Sequence, residues 1–159
     1  MQAKAVSVLG RVERVDFPER GLKNVPTRVD TGAKTSSIWA SAVKEEDGVL
    51  FFKLFGSKSQ YYSGEVLHTS DYSQRIVASS NGHVQNRYVV RLLITVQGRK
   101  IRALFTLADR SKQVYPVLLG RNVLRGKFIV DVKQGQPLRQ AEKRRTASLK
   151  KLASISQEL

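Results

Sequence analysis

Asp30 has the setting in this chain that best suits hydrolytic chemistry. It ends a short apolar run marked by Val25 and Val29 and is followed at once by Thr31, Gly32 and Ala33. A carboxylate at a strand end needs small neighbours if a substrate or a second acid is to approach it. Gly32 lets the backbone turn tightly and come close to another chain. The Thr31 hydroxyl can brace the bend against a neighbouring backbone group, and Ala33 leaves room above the carboxylate. The chemistry open to such a group is activation of water. The same residue types also make an ordinary strand and turn, because Asp, Thr and Gly are all turn formers.

A second stretch, Val117-Leu118-Leu119-Gly120-Arg121-Asn122-Val123-Leu124, separates the two readings. Asp-Thr-Gly-Ala followed downstream by apolar residues and Gly-Arg-Asn resembles the retropepsin-like aspartic peptidases. The resemblance is closest to the RimB-like bacterial branch, labelled ATP-dependent zinc proteases and associated with RimK-type glutamate ligases. It runs from about Leu9 to Val132. Its carriers are Leu9-Gly10-Arg11, Arg28 to Ser37, Val77 to Gly82, Asn86 to Val90, Thr106 to Ser111 and Tyr115 to Leu124. It implies that Asp30 is the catalytic acid, with Thr31 and Gly32 in its loop, and that the second stretch packs beneath that loop.

The implied mechanism needs two carboxylates sharing one proton, since like charges about 3 Å apart cannot both ionise. The chain holds one Asp-Thr-Gly. The second acid is then either Asp30 of another copy, across the two-fold axis of a homodimer, or Asp109 of the same chain, which would allow a monomeric enzyme. Asp109-Arg110 also reads as a structural ion pair beneath the loop. Ala33, Lys34, Ser80, Arg87, Arg110 and Arg121 are the candidate substrate-binding residues. Lys34 stands where retropepsins usually carry an acidic or polar residue, although a basic one is usual in this branch. A lysine there either favours the ionised form of Asp30 or reaches a substrate carboxylate. Ser80 lies in Ser79 to His83, which resembles a flap hairpin over the substrate, and Arg87 behind it could contact an acidic chain. Arg121 suits a structural role on carbonyls or a carboxylate, with a substrate clamp as the alternative.

The charge points the same way. Twenty-eight basic residues against 13 acidic give +15, and such a field attracts polyanions: acidic peptide, nucleic acid or ribosome. The tail from Arg139 carries six basic residues against Glu142 and Glu158, so the body keeps most of the charge. The association with glutamate ligases suggests glutamylated protein as substrate and a RimK-type ligase as partner. The competing reading is a non-catalytic basic barrel that binds RNA or the ribosome through Tyr61, Tyr62, Phe51 and Phe52, or that regulates a glutamate ligase by contact.

No cofactor is expected. The chain lacks cysteine and His-Glu-x-x-His, and its two histidines, His68 and His83, are fifteen residues apart, so no metal is assigned. Without a Gly-rich Lys-Ser/Thr phosphate loop, ATP dependence falls to the partner ligase. A Ser-His-Asp hydrolase lacks its Gly-x-Ser-x-Gly setting. There is no run of about 18 apolar residues for a membrane span, and Met1 to Arg11 is too weakly apolar for a signal peptide. The expected location is cytoplasmic.

The elements that must hold these groups are strands. Alternation over Ala5 to Val15 (broken at Gly10), Leu22 to Asp30, Thr35 to Ala42, Val49 to Phe55, Tyr61 to Thr69, Arg75 to Ser79, Gln85 to Val96, Lys100 to Ala108, Val117 to Leu119 and Phe128 to Val132 predicts nine or ten short strands. Turns fall at Phe17 to Gly21, Glu45 to Gly48, Ser80 to His83 and Gln97 to Arg99, with one helical turn at Asn122 to Leu124. Trp39 is expected in the core. The fold class is all-β, a closed barrel of retropepsin type with little helix, over residues 1–134. Residues 135–159 form a basic tail, mobile or a marginal amphipathic helix through Leu149, Leu152 and Ile155.

Overall fold

The computed structural model describes residues 5–78 and 82–157. Eleven strands appear among them: β1 (Ser7–Leu9), β2 (Val12–Phe17), β3 (Leu22–Val29), β4 (Ser36–Glu46), β5 (Val49–Leu54), β6 (Leu67–Thr69), β7 (Tyr72–Ala78), β8 (Val84–Val96), β9 (Arg99–Ala108), β10 (Val117–Leu119) and β11 (Phe128–Val130). Two α-helices join them, α1 (Arg121–Leu124) and α2 (Arg139–Gln157). The period-2 pattern explains the main sheet. Leu92, Ile94 and Val96 of β8 and Ile101, Ala103, Phe105 and Leu107 of β9 all point into the core.

Strand order closes the barrel. β10, β3, β2, β8, β9 and β4 pair in sequence, and β4 pairs back onto β10. β10 is therefore wedged between two strands of the first third of the chain. It lies parallel to β3, with Leu119 beside Val29, and antiparallel to β4, with Val117 beside Ile38. Six-strand closure leaves a barrel without a free edge, filled by fully buried side chains such as Phe17, Ile38, Ile94 and Phe105. The Phe17 and Phe105 rings meet with centroids 6.3 Å apart.

Differences from the sequence reading have local causes. β4 runs on to Glu46 through a bulge between Ser41 and Lys44, where Ala42 takes φ 50°. The acidic turn narrows to Asp47-Gly48, with φ of 51° and 75°, as a two-residue hairpin with the mirror-image turn demands. Of Tyr61 to Thr69 only β6 is strand. Upstream, the Tyr61 and Glu65 N–H groups donate to the Ser59 and Ser63 hydroxyls, so side chains take the bonds a ladder would need. Trp39 is half-buried against the core, its indole lying over Gly56.

The tail forms a 19-residue helix with no buried residue. Leu149, Leu152 and Ile155 stay exposed. Its first turns are tied to the barrel. Arg11 donates to both Glu142 carboxylate oxygens, at 3.0 and 2.8 Å, and the Leu138 N–H donates to the Tyr115 hydroxyl at 2.9 Å. The hydrogen bond from Arg11 holds the Glu142 carboxyl below its usual 4.5, against the opposing effect of burial. A depressed acid contributes stability above its ordinary value and loses it as pH falls through the lowered one. The tie thus holds at neutral pH and opens in acid. For so exposed a pair, Glu142→Gln is expected to speed amide exchange in the first turns of α2 roughly two- to fivefold, leaving barrel amides unchanged. Equal exchange across α2 in both proteins would refute this.

Among the described residues no helix is long and apolar enough to cross a membrane.

Candidate active site

β3 delivers Asp30 to the rim of the barrel beside the end of β10. The Asp30 N–H still pairs with the Leu119 carbonyl at 2.9 Å, so the residue is held by the sheet on one side and free to bend on the other. The bend is tight. The Gly32 N–H donates to Asp30 Oδ1 at 2.9 Å, and the Ala33 N–H to the Asp30 carbonyl at 3.3 Å. A Cβ on Gly32 would lie 3.2 Å from that same Oδ1, closer than such atoms normally come, so glycine lets the backbone wrap the carboxylate. Asp30 remains half-buried.

The second stretch forms the seat of this loop. The Arg121 N–H donates to the Ala33 carbonyl at 2.8 Å. The Gly120 N–H donates to Ser36 Oγ at 2.9 Å, and Ser36 gives its own hydroxyl and N–H to Asn122 Oδ1 at 2.8 and 2.9 Å. Asn122 Nδ2 completes the chain on the Leu104 carbonyl of β9 at 2.9 Å. A loop on a barrel rim is thus fixed to three strands, and this explains why Gly, Arg and Asn stand together after β10. Arg121 acts here through its backbone. Its side chain shares a cavity of about 720 Å³ with Thr31 and Lys34.

A second cavity of about 710 Å³ lies between the loop and the β7–β8 hairpin. Ala33, Lys34 and Thr35 line it from the loop, Arg75 and Arg87 from the hairpin, and Arg110 from the chain after β9. Arg75 Nη1 crosses to the Thr35 hydroxyl at 2.7 Å. Arg110 is half-buried, with Nε donating to the Tyr115 carbonyl at 3.0 Å. Burial, then Arg28 and Arg87, pull its guanidinium below the usual value, and nearby Asp30 opposes them. Arg87 donates to Gln85 Oε1 at 3.2 Å.

Asp109 and Arg110 take different partners. Asp109 is exposed, and its Oδ1 accepts the Ser111 N–H at 3.0 Å. Hydrogen bonds from Ser111, helped by Lys112, hold its carboxyl below the usual 3.8. Asp109 lines a third cavity of about 760 Å³, walled by Trp39, Tyr62 and Tyr88, which Arg87 also borders. Ser80 lies outside the described residues. The His68 and Phe51 rings meet at a tilt with centroids 6.2 Å apart, and no three His, Asp or Glu side chains gather among the described residues.

Sequence reasoning gave no role of their own to Arg75 and Ser36, and placed Asn122 only within the stretch beneath the loop. The turn signal misses Arg75 by one place: a two-residue turn at Asn81-Gly82 sets residue 75 opposite residue 88, whereas the register sets it opposite Arg87.

Comparison with known proteins agrees with this geometry. A family model described as "RimB-like: Retropepsin-like aspartic endopeptidase RimB" matches residues 8–137. A protein named "Probable alpha-L-glutamate ligase" from Shewanella halifaxensis is 30% identical over 128 residues, 78% of this chain. A protein of the same name from Desulfotalea psychrophila is 28% identical over 131 residues, 80% of this chain. The chain spans 28% of the length of each of these relatives. A crystal structure of a Legionella pneumophila protein of unknown function superposes with a TM-score of 0.58 at 22% identity, covering 82% of this chain and 96% of that one, a likeness of fold. With the family model spanning nearly the whole barrel, the chain belongs to the RimB-like family of retropepsin-like aspartic endopeptidases.

Proposed function

We propose that the protein is an aspartic peptidase in which Asp30 activates water for attack on a peptide carbonyl, and that its substrates are acidic, oligoglutamate tails of the kind a RimK-type ligase would add. The observation that carries the reading is the Asp30 loop itself: a half-exposed carboxylate on a glycine bend, seated on Gly120 to Asn122. One carboxylate takes the proton of the water while a second, protonated, polarises the scissile carbonyl. Asp30 of a second copy is the better second acid. Asp109 spends an oxygen on Ser111 and borders a different cavity from those lined by the Asp30 loop. The homodimer then completes the site.

The acidic substrate is supported by the +15 charge and by relatives named for glutamate ligation that contain a segment like this chain. The test is incubation of the purified protein with poly-glutamate and with a glutamylated carrier protein, followed by mass spectrometry of product lengths. Shortening by wild type and none by Asp30→Asn is expected. Unchanged lengths, or equal shortening by both proteins, would sink the reading.

A further inference from the structure

The cavity between the Asp30 loop and the β7–β8 hairpin has an unusual lining. Lys34, Arg75, Arg87 and Arg110 contribute to it, and no carboxylate does among the described residues. Arg75 and Arg87 are also direct cross-strand partners. Like charges directly opposite each other weaken a strand pair. Arg28 adds to the repulsion felt by Arg110. Elsewhere several arginines do find a carboxylate: Arg11 on Glu142, Arg20 on Glu65, Arg91 on Asp71 and Arg102 on Glu19. In this cavity no such pair within 4 Å is formed among the described residues. A barrel gains nothing in stability from this arrangement, and a ligand carrying carboxylates would relieve it.

We infer that Arg75 and Arg87 are specificity-determining residues that hold carboxylate side chains of an acidic peptide beside Asp30. The inference rests on the peptidase reading for what happens next, but the binding it describes is separate from catalysis. Geometry favours these two over their neighbours. They lie on the same face of the hairpin, opposite each other, so they can take two carboxylates of one extended segment. The Arg75 guanidinium now rests on the neutral Thr35 hydroxyl, an exchangeable partner. Arg110 is fixed by the Tyr115 carbonyl and supplies field rather than reach. Guanidinium suits this work because its planar fork matches carboxylate. Focusing of the field in a walled cleft strengthens the attraction.

The test uses Asp30→Asn protein, so that ligand is bound without being cut, and labelled hexaglutamate read by fluorescence anisotropy at low and physiological salt. Hexaglutamate should bind and hexaglutamine should not. In this background Arg75→Gln and Arg87→Gln should each weaken hexaglutamate binding roughly ten- to hundredfold. Lys150→Gln, which removes one charge on the distant helix α2, should not. Arg75 is exposed, so its variant decides the matter if Arg87→Gln fails to fold. Equal loss in all three variants, or none in Arg75→Gln, overturns the inference. So does a short RNA of equal charge that displaces hexaglutamate at the same or lower concentration. Hexaglutamate bound as described but left uncut by wild type would remove the peptidase reading and keep the clamp. Equal wild-type kcat/KM on glutamate and glutamine peptides would remove the clamp and keep the peptidase.

Discussion

Asp30→Asn is expected to lower peptide hydrolysis about 10³–10⁴-fold, because the amide cannot accept the proton of the attacking water. The fold should survive. Asparagine keeps an oxygen where Asp30 Oδ1 accepts the Gly32 N–H, so the melting temperature should fall by under about 4 °C. The same variant reports on the second acid. If two copies each supply one Asp30, mixed dimers are dead. An equal, fully exchanged mixture of wild type and Asp30→Asn then keeps about one quarter of the activity. If Asp109 is the partner within one chain, the mixture keeps about one half. Activity against a labelled acidic peptide, read after the subunits have been allowed to exchange, separates the two outcomes.

Gly120→Ala should be a severely damaging small substitution beneath the Asp30 loop. The backbone there is extended, φ −97° and ψ −174°, so alanine has no conformational objection. The obstacle is space. A Cβ would meet the Thr35 carbonyl carbon at 2.7 Å and the Ala33 and Thr35 carbonyl oxygens at 2.8 Å, all of them backbone. No side chain can rotate away, so the Asp30 loop must lift from its seat. Overpacking of this kind costs about 1–3 kcal/mol, which for a domain of this size is roughly 3–12 °C in melting temperature. Activity should fall with it, since the lifted segment begins three residues after Asp30. A melting temperature within about 2 °C of wild type, with full activity, would show that the seat is looser than described.

Much of the barrel could be read before any coordinates, for physical reasons. Leu92 to Val96 of β8 and Arg99 to Phe105 of β9 alternate because one side of each faces a core, and Gly98 in their link suits one of the two positive-φ positions of a two-residue turn. Asp30 and Gly120-Arg121-Asn122 could be paired as motifs, and the seat geometry accounts for that pairing. What stayed hidden depends on distance along the chain. Three apolar residues, Val117 to Leu119, say nothing about lying parallel to one strand and antiparallel to another. The tie from Arg11 to Glu142 spans 131 positions, and no local periodicity marks it. Tyr61 to Glu65 looked like a strand because its aromatic rings pack on the core, a demand that a loop meets equally well.

The wedge of β10 between β3 and β4 has a consequence for the time at which the chain becomes competent. Asp30 is translated early, but its support is translated some 90 residues later. A nascent chain that has not yet reached Asn122 carries the acid on a slack tether, with two strands parted and nothing to hold them in register. The hydrolytic capacity proposed above should therefore arrive abruptly, once Asn122 has been made. Until then the unfinished topology alone keeps the acid without its seat.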